Sequence, residues 1–245
     1  MFTRKSISLI AVLAALCVLG ALATSASATR IKPANQAITA TNVGTTKFIP
    51  ENAYANASVQ CETSTATATT PTEVAPPGGT NNNINRTAIG ARSEGPGGVT
   101  TDAVPSFTNC AIYTWNGVAW VKSATPATVA VNPTWTFNGD FISSTAIPVA
   151  IGVPSNGAVI SIPNATSPVC TITVSPGRGS AVMGRWTNGA NSEANPSTMR
   201  IDSQLRYTEA GAGCLGNNTA NPAQFEGTYN VKTTPPSATP VIFEG

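Results

Sequence analysis

The chain has 245 residues and no histidine, and only 10% of its residues are charged, against about 25% in an average soluble domain. The lack of histidine excludes Ser-His-Asp and Cys-His catalysis and every His-ligated metal site. A net charge of +2, with the charged residues scattered singly, argues against a nucleic-acid-binding surface.

The first 28 residues have the features of a secretory signal peptide. Arg4 and Lys5 precede an apolar stretch over 9–22, and Ala-Ser-Ala at 26–28 matches the small-residue cleavage pattern. The apolar stretch is shorter than the ~20 residues that a membrane-spanning helix needs. We therefore predict a secreted, extracellular protein that begins at Thr29 and is not inserted in a membrane. The sequence leaves open whether it stays associated with the cell surface. Loss of the two leader cations lowers the 13 basic residues to 11, which equals the 11 acidic ones.

The segment 71–100 is rich in Gly, Pro and Asn and holds little that could be buried. We expect it to form a long surface loop within a single domain that extends from residue 29 to 234. The alternative is a linker between two domains, but a linker is rarely spanned by a disulfide, and cysteines flank this segment on both sides. Residues 235–245 are Pro-rich and are expected to form a loosely held C-terminal tail.

Asn116-Gly117 lies between two short β-type segments and is the clearest turn signal in the chain. A two-residue type I′ turn needs positive φ at both central positions, which Asn and Gly adopt most readily. Such a turn would pair Trp115 with Val118 and Tyr113 with Trp120 on adjacent strands.

This pairing places Tyr113, Trp115 and Trp120 on one face of the hairpin and Cys110 on the other. A disulfide-bonded cysteine usually points into the core, so the aromatic face would be the outer one. It would then form a flat platform for a sugar ring or for an apolar patch of another protein. The alternative is that the loop 71–100 or the strand register covers the three rings, because large aromatic side chains are usually buried.

Elsewhere the apolar residues recur with period two, as in half-buried antiparallel strands. This alternation covers 58–62, 169–174, 199–207 and 225–232, and further strands are expected at 134–138, 147–151 and 158–162. No segment after residue 28 shows the apolar spacing of a helix. Short strands separated by Gly, Pro and Asn turns predict an all-β antiparallel sandwich of jelly-roll or immunoglobulin-like type, with a barrel as the less favoured architecture.

Four cysteines follow the leader: Cys61, Cys110, Cys170 and Cys214. An even number in an exported chain predicts two disulfides. A zinc site would favour C-x-x-C pairs, whereas the closest spacing here is 44 residues. Three pairings are possible, and we favour 61–110 with 170–214 because each closes a local loop of similar length. Loop entropy then gives about 4 kcal/mol of stabilisation for each bond.

Several strand and cysteine segments follow one another in a recognisable order. They are ITAT (38–41), SVQCET (58–63), PSFTNC (105–110), SPVCTITV (167–174), GAGC (211–214) and FEGTYNV (225–231). In this order the chain after the leader resembles small, uncharacterised all-β exported bacterial proteins with two presumed disulfides. The resemblance implies the fold class but no activity, and it transfers no functional residue.

The sequence indicates no cofactor and no metal ion. A calcium site would have to use carbonyl oxygens and Asp140, since no EF-hand-type loop is present. Paired carboxylates are the one catalytic route that needs no histidine, and they serve glycosidases. Asp202 and Glu226 are expected on solvent faces, and nothing in the sequence brings two carboxylates together.

We therefore predict a non-catalytic extracellular binding or structural module. Its partner would be a glycan or another surface protein, and the sequence does not identify which. A carboxylate-dependent glycan hydrolase is the alternative.

Overall fold

The computed structural model describes residues 29–51, 56–70, 99–131, 135–139, 147–152, 157–163, 170–176, 181–190, 194–211, 214, 221–234 and 239–244. The predicted leader, positions 71–98 of the predicted loop and Asp140 lie outside these residues.

Within the described residues the chain forms fourteen β-strands and no helix. The strands are β1 (Thr29–Lys32), β2 (Ala37–Asn42), β3 (Thr46–Pro50), β4 (Ala57–Thr69), β5 (Val99–Trp115), β6 (Trp120–Val131), β7 (Trp135–Gly139), β8 (Ile147–Gly152), β9 (Ala158–Ile162), β10 (Cys170–Pro176), β11 (Ala181–Thr187), β12 (Ser197–Ala210), β13 (Asn221–Thr233) and β14 (Val241–Glu244). The all-β class is confirmed. The three strands expected in the middle of the chain correspond to β7, β8 and β9, each within one residue at either end.

The hydrogen-bonded pairings of the main sheet close on themselves. Four long strands, β4, β5, β12 and β13, belong to two circuits of eight antiparallel strands. The first circuit runs β2, β4, β5, β7, β8, β11, β12, β13 and back to β2. The second runs β3, β4, β5, β6, β9, β10, β12, β13 and back to β3. Closed circuits of this kind fit a barrel as well as a sandwich whose two layers are joined at their edges.

Each circuit surrounds an apolar interior. All eight strands of the first circuit line a cavity of about 70 Å³, and all eight strands of the second line a cavity of about 50 Å³. Small-molecule sites are usually about 300–1,000 Å³. Both interior cavities of the described residues are well below this range.

The alternation of β12 follows the sequence pattern closely. Met199, Ile201, Leu205 and Tyr207 are buried, while the charged and amide side chains between them are exposed. In β13 the inward residues Gly227, Tyr229 and Val231 are buried, while Phe225 and the residues that alternate with them are half-buried. These two strands confirm the predicted period of two.

β4 departs from the expected half-buried strand. Val59 and Cys61 face the interior, but Ser58 and Gln60, which alternate with them, are buried as well. The Gln60 amide donates to Ser58 Oγ at 2.9 Å, and the Thr45 hydroxyl donates to Gln60 Oε1 at 3.3 Å. The prediction of one solvated face is wrong here, and the internal hydrogen bonds explain why two polar side chains tolerate burial.

The structure joins Cys61 to Cys110 and Cys170 to Cys214, the two pairs that loop length favours. Cys61 and Cys110 are directly opposite each other on β4 and β5, with their Cα atoms 3.9 Å apart. Cys170 is the first residue of β10, and Cys214 follows the end of β12. One bond therefore links two paired strands, and the other holds the segment after β12 against the start of its neighbour.

The C-terminal segment is held more firmly than a loose tail. β14 pairs with β1, and Ile31 and Ile242 are both buried. The amide of Asn188 accepts a hydrogen bond from Ile242 N at 2.8 Å and donates one to Ile242 O at 2.6 Å. The expectation of a loosely held tail is wrong for residues 239–244.

Candidate functional site

The β5–β6 hairpin turns at a different place from the one predicted. Among the four turn residues 116–119, Gly117 is the one with positive φ, at 93°. The Asn116 side-chain oxygen accepts hydrogen bonds from Val118 N at 3.0 Å and Ala119 N at 2.9 Å, and Asn116 N donates to Ala119 O. Asn116 therefore caps the turn with its side chain, and the two-residue type I′ turn predicted for Asn116-Gly117 is wrong.

The longer turn shifts the register by two residues but preserves the faces. Trp115 is opposite Trp120, where the prediction had Val118. Tyr113 is opposite Lys122, where the prediction had Trp120. Because side chains alternate with period two, a shift of two residues leaves each side chain on its original face. Tyr113, Trp115 and Trp120 therefore share one face of the hairpin, as the pattern predicts.

The two tryptophans form a tilted pair. Their ring centroids are 5.5 Å apart and their planes meet at 60°, so they do not form a flat platform. Trp115 is 40% exposed, and Tyr113 and Trp120 are half-buried. The three rings are neither fully covered nor fully displayed, and Trp115 offers the most accessible surface.

The tip of the hairpin projects beyond β4. Ala57, the first residue of β4, is opposite Thr114, and Asn56 O accepts a hydrogen bond from Trp115 N at 2.8 Å. Near the tip of the hairpin, Val118 is 84% exposed and Val121 is 47% exposed. Val121 belongs to the face opposite the aromatics, so that face is buried near Cys110 but exposed near the tip.

An ion pair lies beside the aromatic face. Lys122 Nζ donates to Glu62 Oε1 at 2.5 Å, and about half of each side chain is exposed. This hydrogen bond raises the pKa of Lys122 above its ordinary value. Lys122 is opposite Tyr113, so this ring has an ammonium beside it, and the ammonium and its carboxylate partner can both reach solvent.

Asp202 and Glu226 lie on the outer face, as predicted, but they are directly opposite each other on β12 and β13. Each has a cationic neighbour: Arg200 Nη2 is 3.6 Å from Asp202 Oδ2, and Lys47 Nζ is 3.5 Å from Glu226 Oε2. Gln224 also donates a hydrogen bond to Asp202. Only the strand register brings these carboxylates together, and no sequence pattern indicated it.

The described part of the chain offers no grouping of three or more Cys, Asp and Glu side chains that would hold a metal ion. A helix long and apolar enough to cross a membrane is also absent from those residues. Asp140, which a calcium site would have to use, lies outside the described residues.

Comparison of the chain with protein-family models, with curated proteins and with solved structures gives no match in any of the three.

Proposed function

We propose that the chain is an exported, non-catalytic binding module and that the tilted pair of Trp115 and Trp120 is the centre of its contact surface. The observation that carries the proposal is a partly exposed tryptophan pair on a hairpin that projects past its neighbouring strand. Aromatic side chains with one accessible face are characteristic of binding surfaces, because they bury a large area with little loss of conformational entropy.

The ion pair of Glu62 and Lys122, with Lys122 on the same face of the hairpin as the tryptophan pair, favours a carbohydrate as the ligand. A sugar ring has an apolar C–H face and a rim of hydroxyl groups. The exposed face of Trp115 can pack against the first, while Glu62 and Lys122 can accept and donate hydrogen bonds to the second. An apolar patch on another protein would use the rings but would leave this ion pair without a role.

Two disulfides support the exported location. Structural disulfides persist in oxidising compartments and are rare in the cytosol of most organisms. Together with the predicted cleavage before Thr29, they favour a protein that works outside the cell.

Retention on insoluble polysaccharides tests the proposal. The full-length secreted protein is incubated with cellulose, chitin and xylan, and the bound fraction is compared with that of the Trp115→Ala variant. We expect one of these materials to retain the wild type and the variant to bind about tenfold more weakly or worse, as for a central interface residue. Val104→Ala removes an exposed side chain that lies outside the hairpin tip, and it should bind like wild type.

Two results would count against this proposal. Equal retention of wild type and Trp115→Ala would remove the tryptophan pair from the binding surface. Absence of binding to every polysaccharide, together with Trp115-dependent binding to a protein from the same cell surface, would replace the carbohydrate by a protein partner.

A glycan hydrolase is the second candidate, and the opposition of Asp202 and Glu226 is the observation that favours it. Two carboxylates about 5–9.5 Å apart are the usual requirement for glycoside hydrolysis. Both, however, are ion-paired on an outer face and lie outside the two interior cavities. A broad glycan-hydrolysis screen separates the candidates: activity that Asp202→Ala abolishes in a folded variant would establish the enzyme.

A further inference from the structure

Two arginines lie directly opposite each other on the outer face of the sheet. Arg185 of β11 is paired in register with Arg200 of β12, and the other neighbour of Arg185 is Pro148 of β8. Both arginines are exposed. Directly opposed residues in an antiparallel pair have Cβ atoms about 4.5–5.5 Å apart, so the two guanidinium groups share one small region of surface.

The positive charge of this pair is only partly balanced. Arg200 has Asp202 3.6 Å away, but that carboxylate also accepts a hydrogen bond from Gln224 and is opposite Glu226. Arg185 has no ion-pair partner among the described residues. Like charges directly opposite each other in a sheet are unfavourable unless something compensates them, and an anion between the two guanidinium groups would do so.

The arginine pair borders an open concavity of about 710 Å³. Among the described residues, its wall includes Arg185, Arg200 and Asp202, the apolar side chains of Pro148 and Met183, and Gly184. This volume lies within the usual range for small-ligand sites. The concavity can therefore hold an anionic group at the arginines and an apolar ring face against the proline and the methionine.

We propose that this concavity, which we call the arginine groove, binds a carboxylate or sulfate group of an acidic polysaccharide. Guanidinium groups bind such oxyanions through paired, charge-assisted hydrogen bonds. General attraction by net charge does not account for such binding, because the chain without its leader carries equal numbers of acidic and basic residues. The arginine groove shares no strand with the β5–β6 hairpin, so this proposal is independent of the tryptophan pair.

Binding of soluble polysaccharides to the secreted protein tests the arginine groove. Dextran sulfate and polygalacturonate are the acidic probes, and unmodified dextran is the neutral one. We expect binding of at least one acidic probe, no binding of dextran, and a loss of about tenfold in affinity for Arg185→Gln and for Arg200→Gln. The acidic probe that binds identifies the group as sulfate or carboxylate.

Arg206→Gln is the matched control. Arg206 is exposed on the same face of β12, but Ser175 and Pro222 are opposite it in place of a second arginine. It should bind like wild type, as should Trp115→Ala, which leaves the arginine groove intact. The proposal is overturned if no acidic probe binds at about 50 mM salt, or if Arg206→Gln loses as much affinity as the two groove variants. Circular dichroism of each variant verifies that it is folded.

Discussion

The hydroxyl of Tyr229 lies in the interior, where it forms a hydrogen bond of 2.9 Å with Ser64 Oγ. Gly227 leaves space for the ring, because a Cβ atom at that position would be 2.9 Å from Tyr229 Cε2. Burial raises the pKa of Tyr229 from 10.0 to about 12, and the hydrogen bond with Ser64 opposes part of that rise. The folded state therefore favours the protonated phenol, which has consequences for stability at high pH.

We predict that Tyr229→Phe changes the alkaline stability of the protein. Below pH 10 the variant should lose about 1 kcal/mol, because Ser64 loses its partner. Between pH 10 and 12 the phenol of wild type ionises in the unfolded state before it does so in the folded state, so the free energy of unfolding falls as the pH rises. The variant lacks this contribution, and its stability should decline less over the same range.

Denaturant unfolding at pH 8, 10 and 11.5 measures the difference between wild type and Tyr229→Phe. The gap should narrow or reverse as the pH increases. A gap that stays constant over this range would mean that the Tyr229 phenol does not ionise later in the folded state than in the unfolded one.

Asn188 connects a buried tryptophan to the last strand. Its Oδ1 atom accepts hydrogen bonds from Trp186 Nε1 at 2.9 Å and from Ile242 N, and its Nδ2 atom donates to Ile242 O. We predict that Asn188→Ala lowers the free energy of unfolding by about 2–3 kcal/mol, because it leaves polar groups of Trp186 and Ile242 without partners.

Hydrogen exchange provides the local readout for Asn188. Amides of β14 should lose protection in Asn188→Ala. Asn188→Asp keeps both accepted bonds but sets a carboxylate oxygen against Ile242 O in place of the donating Nδ2 atom, so it should also lose protection in β14. Unchanged protection of β14 in the alanine variant would show that another contact holds the C-terminal strand.

At the scale of elements, the hairpin illustrates how far local sequence determines structure. The alternation around Tyr113, Trp115 and Trp120 correctly predicts a shared face, since that depends only on period two. The turn itself depends on which atoms cap it, and the side chain of Asn116 bonds to the backbone in place of adopting positive φ. Turn length and pairing register therefore were not predictable from the Asn-Gly dipeptide alone.

Because Gly117 has a positive φ, we predict that substitution by alanine destabilises the protein more than substitution by asparagine does. Gly117→Ala should lower stability by about 1 kcal/mol, because a Cβ atom makes this backbone conformation unfavourable. Gly117→Asn should cost less, because asparagine tolerates positive φ better than alanine does. Denaturant midpoints of both variants measure the effect, and an alanine variant as stable as wild type would rule out this turn conformation.

β5 shows where sequence patterns fail for a whole strand. It extends over 17 residues, although the sequence predicted only its last part. Pro105 lies within it and Asn109 has positive φ, two features that normally interrupt a strand. Pairing with β4 along one side and with β6 and β7 along the other maintains the strand through both interruptions.

For the whole molecule, sequence patterns predicted the all-β class, part of the strands and the two disulfide pairs, but not the closure of the sheet. Pairings such as β10 with β12 and β3 with β13 depend on long-range contacts that have no local signature. The same is true of the pairing of β1 with β14, which joins the two ends of the described chain. It is also true of the arginine groove, since only the register places Arg185 opposite Arg200.

The two disulfides close loops of similar length, with sequence separations of 49 and 44. Loop entropy therefore predicts that Cys61→Ala/Cys110→Ala and Cys170→Ala/Cys214→Ala each lower the free energy of unfolding by about 4 kcal/mol. Denaturant unfolding of the two double variants measures both losses. If either double variant loses well below 1 kcal/mol, strand pairing holds those two segments together even when the disulfide is absent.

Quenching of tryptophan fluorescence by iodide tests the central claim that the hairpin displays its tryptophans. The chain has four tryptophans, of which Trp135 and Trp186 are only 8% and 2% exposed. Quenching of the wild type should therefore arise from Trp115 and Trp120, and the Trp115→Phe/Trp120→Phe variant should lose most of the accessible emission. If wild-type emission is insensitive to iodide, or if the double variant is quenched as strongly as wild type, the hairpin tryptophans are not a displayed surface.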